Sequence, residues 1–403
     1  MNPNLSFLKN LFPSSCHDRL FIVGGTVRDM MLGKESQDID LVAALSHDDL
    51  ISLGFRLVEA TSGATIYFKH HPHVGKIEVT RFTSIADLED DLLRRDFTIN
   101  AMAMDMTGVL IDPLGGKAGL KAGLLRPCSK FTFTGDPLRI FRAFRFEVDG
   151  CNITAETAVL IRERNWSEEF SNTPMERFSN EMLKALAGKI PGRFFQRMIE
   201  FNIGAEFLPE IFRMPKIPAG PLEHHPEGDL FTHSVQVLQR VAATTDDPLA
   251  RFCALFHDLG KLATYPALYP KHHGHDDAGF GMALDFCHRL CLPATYCKSL
   301  SWICRLHGKA NKWDELRDST KIRMAEQAIK AGILDILPLV SAADKPGNQP
   351  IAGWDDAVRI AGMSTRELGI DQEQLESMPI ENRPSFILQK RVDALRVVAF
   401  FPI

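Results

Sequence analysis

The stretch FIVGGTVRDMMLGKESQDIDLV, residues 21–42, decides the fold. An apolar run ends at Gly24 and Gly25, Arg28 and Asp29 follow, and a second apolar run carries Asp38 and Asp40 one residue apart. Side chains alternate across a strand, so Asp38 and Asp40 point to the same face. Two carboxylates that close do not both ionise cheaply unless a cation lies between them. A hard divalent ion such as Mg²⁺ resolves the conflict, taking carboxylate and phosphate oxygens together. Two such ions can clamp the attacking and leaving oxygens of a phosphoryl displacement. Gly24 and Gly25 allow close backbone approach to a phosphate, and Arg28 adds a positive charge just beyond.

Outward from this stretch, residues 20–112 read as mixed α/β. Strands are expected at LFIVGG, DIDLVAA, TIYFKH and KIEVTRF, and helices around residues 28–32 and 84–95. Glu78 in KIEVTRF is either a third metal carboxylate or a solvated strand charge. DPLGG (residues 112–116) is a turn by its Pro and Gly. From Asp136 the pattern becomes helical. In DPLRIFRAFRFEV the proline suits a helix start, Ile140, Phe141, Phe144 and Val148 form an apolar face, and Arg139, Arg142 and Arg145 recur on another side. The proline-rich MPKIPAGP (residues 214–221) reads as a linker, SAADKPGNQP (341–350) as a boundary, and PSFILQKRVDALRVVAFF as a final amphipathic helix. Met102, Met104 and Met106 alternate as strand core, and the Phe-rich stretch 131–146 reads as packing.

The chain has 403 residues, 45% hydrophobic and 24% charged, with a formal net charge of −5. That length suits two or three domains. Net acidity disfavours a protein that simply coats nucleic acid, but a local basic groove is compatible with it. No apolar run is long enough for a membrane span, and the N-terminus lacks a secretory h-region. Eight cysteines without framework spacing suit a reducing, cytoplasmic compartment.

GGTVRDMMLG…DID resembles the first motif of the class II tRNA nucleotidyltransferase and poly(A) polymerase family. RRDFTINAMA (94–103) is similar to its second motif, DPLGG to its third, DPLRIFRAFRF to its fourth and ERFSNE (176–181) to its fifth. The resemblance implies a polymerase-β-like α/β nucleotidyltransferase head followed by an all-helical neck, body, HD domain and tail. It implies tRNA 3′ ends, CTP and ATP as partners. It places Arg94, Arg95, Asp96, Asn100 and Arg142 at the nucleotide, with Asp96 near the ribose, and turns Asp136 and Arg139 toward the base. Cytosine and adenine each present an amino donor beside an acceptor nitrogen. An ionised Asp and an Arg match that order, while uracil and guanine reverse it, a difference of roughly 1–3 kcal/mol per good pairing.

The chain departs from the family at three points, one being the end of KIEVTRF, where the order Arg81-Phe82 stands in place of the family's Phe-Arg. Gly135 replaces the usual acidic residue before Asp136. Only TSIADLEDDLL (83–93) stands where the family carries a flexible loop rich in Gly, Tyr and Arg, a pattern that resembles enzymes adding the two cytidines but not the adenosine. CC-only and full CCA addition both stay open here.

A second constellation follows. His233, His257-Asp258 and Asp344 occur in the order H…HD…D, and HDLGK resembles the HD phosphohydrolase superfamily. Mixed His and Asp ligands suit Ni²⁺ or Mn²⁺, with Mg²⁺ also open. His275 and His307 are further candidate ligands; His224, His225 and His272 are ambiguous. Cys287, Cys291, Cys297 and Cys304 match no zinc ribbon and read as small buried hydrophobes. The expected division is a head at 1–128, a neck at 129–190, a body and linker at 191–222, an HD domain at 223–345 and a tail at 346–403. Rival readings are a poly(A) polymerase, disfavoured by the non-basic RVVAFFPI end, and an RNA-binding protein with HD hydrolase activity alone.

Overall fold

The computed structural model describes residues 3–34, 38–59, 65–72, 74–345, 347 and 350–400, without the side chains of 59, 399 and 400. Parts of the boundary expected at 341–350, and the last three residues of RVVAFFPI, lie outside the described residues. The chain divides into two compact units, Met1–Trp166 and Ser167–Ile403.

The first unit is built on a mixed sheet of seven strands: β1 (Leu20–Val23), β2 (Asp38–Ala43), β3 (Arg56–Glu59), β4 (Thr65–His71), β5 (Gly75–Arg81), β6 (Ala103–Asp105) and β7 (Leu110–Ile111). Their order is β3-β4-β5-β2-β1-β6-β7. Only the β2–β5 pair is parallel; its register sets Asp38 beside Lys76 and Asp40 beside Glu78. The four expected strands are present. β3 is an addition that Leu57 and Val58, both exposed, did not signal. The alternate residues Ile39 and Leu41 on β2, with Ile77 and Val79 on β5, are buried in one core with Met102 and Met106. That core anchors the strand face opposite Asp38 and Asp40.

Helices Gly25–Met31 and Asp87–Leu93 stand where helices were expected. Helix Arg139–Val148 buries Ile140, Phe141, Phe144 and Val148 completely, as its apolar periodicity requires. In DPLGG, the Asp112 carboxylate accepts from the Gly116 and Lys117 N–H groups at 2.6 and 3.0 Å, which caps the helix Gly116–Ala122.

The second unit is helical and ends in the expected helix, Arg383–Phe400. The stretch 214–221 is not a free linker. Met214 and Ala219 are fully buried, the Pro218 carbonyl faces His272 Nε2 at 2.8 Å, and the Ala219 carbonyl accepts from Lys261 at 2.6 Å. Proline lacks an N–H but keeps its carbonyl, so a proline-rich strip can line a site with acceptors. Among the described residues no helix is long and apolar enough to cross a membrane.

Candidate functional site

In the first unit, Gly24 ends β1 with φ +69°, a conformation that favours glycine. A Cβ there would collide with the Arg95 guanidinium. The Gly24 N–H is itself taken by the Met102 carbonyl at 3.2 Å. Thr26, to which the sequence reading gave no role, ties the glycine turn to β2: its hydroxyl donates to the Asp38 carbonyl (3.3 Å) and accepts from the Asp40 N–H (2.9 Å). Asp38 is exposed and Asp40 half-buried. Burial lifts the Asp40 carboxyl above the usual carboxylate range; Glu78 and Asp38 push the same way and Arg95 pulls back. Lys76 offsets part of this charge through Glu78, at 2.5 Å. Negative charge in excess of its protein partners is the condition a hard cation satisfies, so the residues fit Mg²⁺.

Beside the acids runs a chain of ion pairs and hydrogen bonds. Arg28 donates to Asn100 Oδ1 (2.7 Å) and to Asp29 (2.8 Å). Asn100 donates to Asp96 Oδ1 (2.9 Å), which also accepts from the Phe97 N–H (2.8 Å). Arg142 donates to Asp96 Oδ2 through Nε and Nη2, each at 2.8 Å. Burial alone would raise the Asp96 carboxyl; Arg142, Asn100 and the Phe97 N–H outweigh it and hold the group below the ordinary range. Asp96, expected near a ribose, thus serves the protein's own donors here. Arg139 donates to the carbonyls of Arg94 (2.6 Å), Arg95 (3.3 Å) and Thr132 (3.2 Å), three bonds from a fork of five N–H groups. Arg95 is held by Asp91 at 2.8 and 2.9 Å, a partner the sequence did not reveal. Asp136 Oδ1 accepts from the Leu138 N–H at 3.2 Å, which leaves it at the start of the helix that carries Arg139 and Arg142.

The second unit brings His233, His257, Asp258 and Asp344 together, with His275 and His307 beside them. His233 Nε2 lies 3.0 Å from Asp344 Oδ1 and 3.6 Å from Asp258 Oδ2. His257 Nε2 lies 3.2 Å from Asp258 Oδ2 and 3.5 Å from Asp344 Oδ1. His275 and His307 each present Nε2 to Asp258 Oδ1 at 3.3 Å. Every one of these rings has its Nδ1 on an acceptor that cannot donate: Glu227 for His233 (2.6 Å), the Ala254 carbonyl for His257 (2.8 Å), the His272 carbonyl for His275 (2.7 Å) and the Cys304 carbonyl for His307 (3.0 Å). Nδ1 therefore carries the hydrogen, and each neutral ring points a lone pair at a carboxylate. Such a cluster demands a positive species, proton or metal. In the protonated state burial pulls the His257 imidazolium down, but Asp258 and Asp344 win and push it up to about 10. Burial likewise opposes Asp258, yet Lys261 and His257 hold it well below the carboxylate range.

The buried Oδ1 atoms of Asp258 and Asp344 accept no hydrogen bond. The set fits a borderline divalent metal. Glu227, Lys261 and Asn311, which bonds Asp344 Oδ2, were not anticipated; Lys261 was visible in HDLGK. His225 contacts Glu227 at 3.1 Å and His272 faces Pro218, so both sit around the cluster rather than in it. Cys287, Cys297 and Cys304 are buried, as expected of small hydrophobes, while Cys291 is exposed.

Comparison with known proteins identifies the domains that carry these two clusters. Residues 20–126 match the family described as "Poly A polymerase head domain", 150–214 the "Probable RNA and SrmB- binding site of polymerase A", and 230–343 the "HD domain". A "Multifunctional CCA protein" of Methylococcus capsulatus is 33% identical over 94% of this chain and 94% of its own. This chain belongs to the multifunctional CCA protein family. A further family member, from Haemophilus influenzae, is 34% identical over 76% of the chain and 79% of its own. Solved structures share the fold: "The complex structure of CCA-adding enzyme with CTP" covers 99% of this chain and 96% of that one at TM-score 0.62 and 20% identity. The "Thermotoga maritima CCA-adding enzyme complexed with tRNA_CCA" has the same coverage at TM-score 0.61 and 20% identity. The resemblance read from the motifs is borne out: the chain is a nucleotidyltransferase with an HD domain, and both domain types imply dependence on divalent metal.

Proposed function

We propose that the first unit adds CMP and then AMP to the 3′ end of tRNA without a template, and that the HD cluster is a metal-dependent phosphohydrolase. The observation that carries the first part is the match, over 94% of both chains, to a protein named for CCA, on a head where Asp38 and Asp40 share a strand face with Glu78 beside Asp40. Mg²⁺ held by Asp38 and Asp40 would supply Lewis-acid stabilisation of the phosphoryl charge. Gly24, Gly25 and Arg28 flank the triphosphate, with Arg28 oriented by Asn100. The pair Asp96–Arg142 and the three carbonyls on Arg139 fix one helix end, so that Asp136 and Arg139 meet the base edge in a set orientation. Preorganised donors of this kind discriminate because they do not rearrange for a mismatched partner. The finer five-part division into head, neck, body, HD domain and tail, and the cytoplasmic setting, belong to the same proposal.

A second reading rests on helix Asp87–Leu93, which occupies the place of the family's flexible loop. It favours addition of two cytidines only. Incubating tRNAs that lack one, two or three terminal nucleotides with CTP and ATP, then mapping the 3′ ends, separates the two. Full CCA ends are expected; products that stop at CC establish the second reading, and oligo(A) ends establish a poly(A) polymerase.

A further inference from the structure

Arg95 has two carboxylates within its field, Asp91 four residues before it and Asp40 across the glycine turn. We infer that Asp91 is a positioning residue for nucleotidyl transfer. By holding one edge of Arg95 it keeps the guanidinium off the metal-binding acids and leaves the remaining corner for the triphosphate. The inference rests on the proposed placing of nucleotide and Mg²⁺ at Gly24, Asp38 and Asp40, and adds the residue that keeps those acids available.

Three observations carry it. Asp91 lies on helix Asp87–Leu93 and takes both Nε and Nη2 of Arg95 on one oxygen, Oδ2, at 2.9 and 2.8 Å. Nη1, the third nitrogen, has no acceptor among the described residues. It faces the glycine turn: a Cβ on Gly24 would stand 2.4 Å from Nη1 and 3.7 Å from Asp40 Oδ2, so the arginine corner and the acid flank one backbone position. The Gly24 N–H is already bonded to the Met102 carbonyl. A phosphate arriving at the turn therefore meets Arg95 Nη1 where that N–H would otherwise serve.

An acid and an arginine four residues apart are ordinarily a solvated surface pair of little consequence. Here the two side chains are only 24% and 22% exposed, and the pair borders the paired acids. Without the Asp91 charge, Asp40 becomes the stronger attraction. A guanidinium binds a carboxylate through two parallel N–H groups, and that pairing occupies the oxygens Mg²⁺ needs. Asp91 thus acts on the reaction through Arg95, by deciding which acid the arginine serves.

The test uses the full chain as Asp91→Asn, Arg95→Ala and the two combined. CMP incorporation into a tRNA lacking its three terminal nucleotides is titrated with Mg²⁺, and CTP binding is measured by calorimetry without tRNA, in chelator. Asp91→Asn is expected to raise the half-maximal Mg²⁺ concentration on the order of 10-fold and to weaken CTP on the order of 10-fold, the loss of one charge-assisted hydrogen bond. Arg95→Ala weakens CTP but does not raise the Mg²⁺ requirement, because the competitor leaves with the donor. The double variant behaves as Arg95→Ala. A helix merely damaged by Asp91→Asn would keep its raised Mg²⁺ requirement after Arg95 is removed, and that result overturns the inference. So does an unchanged Mg²⁺ requirement in Asp91→Asn, which leaves the nucleotide site itself intact. CTP affinity at the parent value in Arg95→Ala overturns the placing of nucleotide at this turn as well.

Discussion

Asp38 stands exposed at the start of a strand and Asp40 half-buried two residues on, whereas His257 has no exposed surface and His233 only 1%. The head offers carboxylates alone, open to water and partly offset by Lys76 and Arg95. Water competes well for a hard cation at such a place, so an ion bound there would be retained only when a nucleotide adds its phosphate oxygens. The HD cluster offers imidazoles whose Nδ1 atoms are already pinned, in a site closed to solvent, and such ligands lose little freedom on binding. On the proposed function, the head would receive metal with its substrate, and the HD cluster would keep metal between substrates.

The largest effect that would break this contrast comes from removing a ligand on each side. Asp40→Asn should lower CMP incorporation on the order of 10³-fold, the equivalent of several kcal/mol of charge stabilisation, while HD phosphohydrolysis persists. His257→Ala should abolish hydrolysis of a 2′,3′-cyclic phosphate and leave CMP incorporation within about twofold. Loss of both activities in either variant would refute independent sites.

A middling effect is expected from the buried pair beside the head's acids. Arg142→Ala leaves Asp96 buried without its cation and should destabilise the first unit by about 2 kcal/mol, below the usual range for a broken buried pair because Arg142 is one-third open to water. The sign with pH follows from the depressed Asp96 group. Its stabilisation is complete above the unfolded carboxyl range near pH 4 and fades as pH falls through the lower folded value. In Arg142→Ala, burial pushes the carboxyl the other way, so acid ought to stabilise the variant relative to wild type. Urea midpoints measured from about pH 7 down to about pH 4 report the difference; a constant gap would contradict the assignment.

The smallest effect sharpens the picture of the open site. Lys76 pairs with Glu78 while half-exposed, so Lys76→Ala should change stability by under about 0.5 kcal/mol. It also removes a cation beside the acids, and the Mg²⁺ concentration for half-maximal incorporation should fall slightly. A rise would assign Lys76 to the nucleotide instead.

The head's paired acids were legible because a period of two is written along one strand. Glu78 beside Asp40 was not, since the parallel register of two separate strands leaves no local mark. Likewise H…HD…D could be read in order, while Glu227 and Asn311 reach the cluster through helix packing that no spacing encodes. Arg139 was expected at a base, but its hold on three backbone carbonyls depends on where residues 94, 95 and 132 come to lie. The proline-rich strip was misread because missing N–H groups suggest exposed chain, while its carbonyls are what the fold uses.

That strip has a practical consequence. The carbonyls of Pro218 and Ala219 belong to the wall around His272 and Lys261, and Arg213 reaches the Leu262 carbonyl at 2.9 Å. An excised hydrolase that starts at residue 223 would discard this lining, so a free-standing fragment or a graft into another scaffold should begin upstream of Arg213.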